Sequence, residues 1–209
     1  MKQSKAIARK LLEIRAVRLS PKQPFTWASG ILSPIYCDNR LLLSHPSIRD
    51  CTTNGFVELS AQFGDFDVIA GVATAGIPHG VLLADRLHKP FVYVREKPKA
   101  HGRQNQIEGS LSEKARVLVI EDLISTGGSS LKAVEALKEA KVQVVGTAAI
   151  FTYGFERATN AFSKADCLLK TLTDYDTLLE VAVEMGYIQA EDLKILSQWR
   201  VSPEKWMEI

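Results

Sequence analysis

The run Val117-Leu118-Val119-Ile120 sets four aliphatic side chains in a row, with no polar residue at alternate positions. A strand written this way has to be covered on both faces, and a parallel sheet between helices provides both covers. Similar short runs are expected as strands at residues 67–72, 91–94, 142–150 and 167–170. Between and around them lie helical patterns. One covers residues 4–15 through Ile7, Leu11 and Ile14, and a second follows Pro46 with Ile48, Phe56, Leu59 and Phe63. Others start at Pro78 and Ser129 or cover residues 177–185 and 190–199. The expected fold class is α/β, a central, mostly parallel sheet flanked by helices. Its 209 residues suffice for one domain, 1–209.

Composition narrows the function classes. Basic and acidic residues number 26 and 24, a net charge of +2, so the long-range field of a general nucleic-acid binder is missing. Cys37, Cys51 and Cys167 form no Cys-x-x-Cys pair, and the four histidines have no metal-ligand spacing. Buried thiols in a reducing compartment are the expectation, with no metal held by protein side chains alone. Residues 1–17 are basic but lack the apolar core of a signal peptide. The apolar stretch 68–84 is broken by Gly71, Gly76, Pro78, His79 and Gly80, which rules it out as a spanning helix. A cytoplasmic protein without membrane or nucleic-acid partners is expected.

The end of the apolar run carries the chemistry. After Ile120 come two carboxylates, Glu121 and Asp122, then Leu123 and Ile124, then Ser125-Thr126-Gly127-Gly128-Ser129 leading into a helix. Backbone N–H groups at a parallel strand's end and at the next helix N-terminus converge on anions. Glycines let the chain approach closely, and the hydroxyls add donors. The acid pair would repel a polyphosphate but accept hydrogen bonds from vicinal ribose hydroxyls, so a sugar 5-phosphate suits both halves. An ordinary capped helix explains any one of these residues but not the array. Competing phosphate motifs fail on inspection. Gly71 to Gly76 has Walker A glycine spacing, but Ile77-Pro78 stand where Lys-Ser/Thr is needed. No Gly-x-Gly-x-x-Gly fingerprint occurs.

Val117 to Ser129 resembles the signature of the type I phosphoribosyltransferases, which use 5-phosphoribosyl 1-pyrophosphate (PRPP) as donor. Three further segments resemble the orotate branch of that family. They are Phe25-Thr26-Trp27-Ala28-Ser29-Gly30 with Ser33-Pro34-Ile35-Tyr36, Gly71 to Gly80, and Tyr93-Val94-Arg95-Glu96-Lys97-Pro98-Lys99-Ala100-His101-Gly102. The resemblance implies the type I fold with a small N-terminal hood at 1–45 and a mobile catalytic loop at 95–115. It also implies transfer of phosphoribose from PRPP to orotate, with Mg2+ brought mainly by PRPP, in a homodimer whose loops serve the partner's site. Arg95, Lys99 and His101 would meet the pyrophosphate, with Thr74 and Ala75 in the pyrophosphate loop. Glu121, Asp122, Leu123, Ile124, Ser125, Thr126, Gly127, Gly128 and Ser129 would hold the ribose 5-phosphate. Ser125 and Tyr36 would contact orotate. Ala28, Tyr153 and Glu96 stand where some members carry basic residues, so hood N–H groups are expected to receive the orotate carboxylate.

Two other readings compete. One keeps the donor chemistry with a purine or uracil as acceptor, against which the hood and the His101 loop argue. The other is a non-catalytic sensor that binds nucleic acid, against which Arg95, Lys99, His101 and the balanced charge argue.

Overall fold

The computed structural model describes residues 2–27, 30–97, 106–204 and 206. The chain opens with α1 (Lys2–Glu13), whose Ile7, Ala8, Leu11 and Leu12 form one buried stripe. Four short strands follow: β1 (Val17–Leu19), β2 (Phe25–Thr26), β3 (Leu32–Ser33) and β4 (Ile35–Cys37). They pair antiparallel as β1 with β4 and β2 with β3, two small sheets that the sequence pattern did not announce. Strands of two or three residues are too short to display an alternation. A 3-10 turn at Asn39–Ser44 leads to α2 (Pro46–Ser60).

The main sheet then begins with β5 (Val68–Val72), followed by α3 (Gly76–Leu87) and β6 (Phe91–Val94). Pro78 does not start α3 but sits inside its first turn, where a missing N–H costs no intrahelical bond. Next come β7 (Ile107–Glu108), β8 (Arg116–Ile124), α4 (Gly128–Glu139), β9 (Gln143–Thr152) and α5 (Glu156–Lys164). The chain closes with β10 (Leu169–Asp174), α6 (Tyr175–Glu184) and α7 (Asp192–Val201). Against expectation β10 starts beyond Cys167, because Cys167 lies in the turn where its N–H meets Phe162 O at 3.1 Å. The sequence reading also lacked α5 and β7.

Six strands form the central sheet in the order β10-β9-β8-β5-β6-β7. All neighbours are parallel except β7, which runs antiparallel along β6. The unalternating run of β8 has its explanation here. Leu118 and Ile120 enter the core shared with α1, α2, α3 and α6, while Val117 and Val119 face α4 and α5. Chain order reverses between β5 and β8, since β6 lies beyond one and β9 beyond the other. In open parallel sheets the carboxyl ends at such a reversal frame a crevice for ligands.

Candidate active site

The two strands at the reversal end at different heights. β5 pairs with β8 only as far as Gly71 opposite Ile120, whereas β9 accompanies β8 up to Ile124 opposite Thr152. The acid pair lies within β8, which runs on past it to Ile124. Beyond Ile120 the β5 flank of β8 faces a cleft. Close approach of the two walls depends on Gly76 at the start of α3, where a Cβ would sit 2.4 Å from Ile120 O.

A cavity of about 340 Å³ fills this cleft, walled by Ala73, Thr74 and Ala75 on one side. On the other are Glu121, Asp122, Leu123, Ser125, Thr126, Gly127, Gly128 and Ser129. Gly127 adopts φ +82°, a left-handed turn that swings the chain from β8 into α4, and a Cβ there would strike the Phe162 ring at 2.8 Å. No side chain caps α4. Its first N–H groups, which have no intrahelical acceptor, stand beside the cavity with the positive end of the helix dipole. Ile124, by contrast, is fully buried in the core and its carbonyl accepts from Tyr153 N–H at 3.2 Å. Its part is to hold the strand end.

The acid pair is unequal. Glu121 is only 5% exposed, and its carboxyl accepts from Asp122 N–H at 3.0 Å and from Ser130 Oγ at 3.1 Å. Burial, then the neighbouring Asp122 charge, pushes its pKa up to about 8. Asp122 is half-buried; burial raises its pKa, while a hydrogen bond from Glu121 lowers it. Burial thus favours a proton on the pair, and the larger upward push falls on Glu121.

A second cavity, of about 460 Å³, adjoins the first on the hood side. Tyr36, Cys37, Thr26 and Trp27 line it from the hood, and Leu123, Ser125 and Tyr153 from the sheet. Ser125 belongs to both cavities. The floor is aromatic: Tyr153 packs against Trp27 at 5.7 Å and against the fully buried Trp199 of α7 at 5.6 Å. Trp27 is fixed by its Nε1–H donating to Ile35 O at 3.1 Å. The Arg18 guanidinium lies 4.9 Å from the Tyr36 ring centre and 5.1 Å from that of Phe25, with no ion pair among the described residues.

Arg95 stands just past β6, beside the first cavity rather than in its wall. Its N–H donates to Gln106 O at 2.8 Å and its guanidinium pairs with Glu108 at 3.5 Å, tying the end of β6 to the start of β7. Lys99 and His101 lie outside the described residues, as does Ala28.

Residues 42–175 match the phosphoribosyl transferase domain. The orotate phosphoribosyltransferase of Listeria monocytogenes serovar 1/2a is 56% identical over 203 residues, 97% of each chain. This chain belongs to the orotate phosphoribosyltransferase family. Among solved structures, the orotate phosphoribosyltransferase from Aeropyrum pernix is 31% identical with a TM-score of 0.76, covering 87% of this chain and 99% of that one. The Mycobacterium tuberculosis H37Rv orotate phosphoribosyltransferase in complex with PRPP is 25% identical with a TM-score of 0.66, covering 84% and 98%. For an orotate phosphoribosyltransferase, the residues that sequence reasoning missed are Ser130, Trp27, Cys37 and Asn39. Ser130 had a signal, the hydroxyl after Ser129. Trp27 lay within the hood segment quoted above, but its packing on Tyr153 and Trp199, and the bond from Asn39 to Asp122, join segments far apart in sequence.

Proposed function

We propose that this phosphoribosyltransferase moves phosphoribose from PRPP to orotate, giving orotidine 5′-monophosphate and pyrophosphate in pyrimidine (UMP) biosynthesis. The observation that carries the reading is the pair of cavities meeting at Ser125, one suited to a sugar phosphate and the other to a flat ring. In this reading the α4 N-terminus and residues Ser125 to Ser129 hold the 5-phosphate. Asp122, the more exposed member of the acid pair, accepts from the ribose hydroxyls, and Glu121 holds Asp122 and Ser130 in place. Thr74 and Ala75 face the pyrophosphate. Tyr36 and Ser125 touch orotate, with its ring over Tyr153.

Breaking the bond from C1 to pyrophosphate leaves a cationic sugar and a highly charged leaving group. Arg95, with Lys99 and His101 by resemblance, would meet that charge as it develops and exclude water. Mg2+ fits this donor set as a substrate-borne ion. Among the described residues no three His, Cys, Asp or Glu side chains converge, yet Asp122 faces the cleft. Such an ion is held by one or two carboxylates together with phosphate oxygens. Bound there, it would offset charge on the pyrophosphate.

The single domain 1–209, with hood 1–45 and catalytic loop 95–115, belongs to the same proposal. So does a homodimer that shares the loop, supported by the position of β7 at the sheet's edge. A cytoplasmic setting agrees with three free thiols. The test is the fall in orotate absorbance when PRPP and Mg2+ are added to the protein. Turnover of orotate is expected; turnover of uracil or hypoxanthine with none of orotate would overturn the assignment.

A further inference from the structure

We infer that Asn39 is a positioning residue for the donor site, acting through the main chain of Asp122. Past Ile120, β8 has lost β5 as a partner, and the register with β9 steps from Glu121–Ala149 to Leu123–Phe151. The Asp122 backbone therefore lies where one side of the sheet is missing. Asn39 takes the place of the missing strand: its Nδ2 donates to Asp122 O at 2.8 Å, a bond spanning 83 positions.

Its geometry is closely fixed. Asn39 is 1% exposed and opens the 3-10 turn, whose N-cap Asp38 accepts from Arg40 N–H at 3.2 Å. On its other side, Asn39 Oδ1 accepts from the Cys37 thiol at 3.4 Å. Both ends of the carboxamide thus have partners, and a flipped amide would strand a buried donor. Cys37 lines the hood-side cavity. A hydrogen-bonded path consequently runs from the acceptor wall, through Asn39, to the strand segment that carries the donor carboxylate. The position of that carboxylate is set from the hood.

This inference rests on Asp122 being the acceptor for the ribose hydroxyls. Calorimetric binding of PRPP with Mg2+ to the full chain, in a double-mutant cycle, tests both. Asn39→Ala is expected to weaken PRPP binding about tenfold, the scale of one well-placed hydrogen bond. In the Asp122→Asn background the same change is expected to add nothing, since both losses pass through one group. Asn39→Ser, which keeps a donor on a shorter side chain, should recover part of the loss, and it serves as the folded variant should Asn39→Ala not fold. Unchanged PRPP binding in Asn39→Ala, or in Asn39→Ser if that is the folded variant, would overturn the inference. Losses that multiply across the cycle would do the same. If Asp122→Asn alone binds PRPP normally, the reading of Asp122 fails and the role of Asn39 falls with it. Absence of orotate turnover in the unmodified chain would be a separate failure, of the acceptor assignment.

Discussion

Glu121 and Asp122 are neighbours in sequence, but burial divides their work. Glu121, its pKa raised by burial, serves as an internal brace between Asp122 N–H and Ser130 Oγ. Burial of the pair favours a proton on it and so lowers the negative charge that a phosphorylated sugar would meet in the cleft. Arg18 bears on the other substrate. The hood-side cavity is lined by neutral side chains, and the Arg18 guanidinium stacks on Tyr36, one of those lining it. For an exposed charge of this kind roughly 0.5–1 kcal/mol is expected, so Arg18→Gln should raise the KM for orotate roughly two- to fivefold. Arg18→Lys should raise it less, and the KM for PRPP should stay where it was. Steady-state kinetics with each substrate varied in turn checks this.

Among the elements, the tightest junction is α3 against β8. Gly76 lies where Ile120 O, Ile120 C and Glu121 Cα leave no space for a side chain, and all three are backbone atoms that cannot rotate away. Gly76→Ala must push α3 off the strand, at about 1–3 kcal/mol in the manner of an overpacked core. Denaturant melts should show that loss, together with weaker PRPP binding, since Ala75 and Glu121 are opposite walls of one cavity. The junction also shows what sequence reading can reach. The central strands β5, β8 and β9 were legible because they pack on both faces, and the phosphate turn because hydroxyls and glycines follow an apolar run. Gly76 was visible, but as part of a phosphate-loop spacing; its contact with Ile120 exists only after β5 and β8 pair. In the hood, Trp27, Cys37 and Asn39 gain their surroundings from distant segments, and no local pattern records that.

For the molecule as a whole, two buried groups pull stability in opposite directions with pH. His79, 2% exposed, is held down to about 4 by burial, so it is neutral when folded and takes up a proton on unfolding below about 6.5. Its contribution falls as pH drops from 6.5 to 4. Glu121 has the reverse sign: its folded pKa of about 8 lies above the ordinary 4.5. Its contribution is complete below 4.5 and is lost as pH rises toward 8. Between 4.5 and 6.5 the two slopes oppose each other, and from 6.5 to 8 that of Glu121 stands alone. Thermal melts across pH 4–9 should show Glu121→Gln flattening the decline above 6.5 and His79→Leu flattening the fall on the acid side. A decline above 6.5 that survives Glu121→Gln unchanged would mean that Glu121 is not its source.

Leu123 and Ser125 both stand in the walls of the two cavities, so the proposed donor and acceptor pockets share a boundary at the end of β8 and the turn after it. Enlarging the hood-side cavity at either of these two positions would alter the first cavity in the same stroke. A change of nucleobase preference is better made through Thr26, Trp27, Tyr36 or Tyr153, which line the hood-side cavity and not the first, than through Cys37, whose thiol is hydrogen-bonded to Asn39.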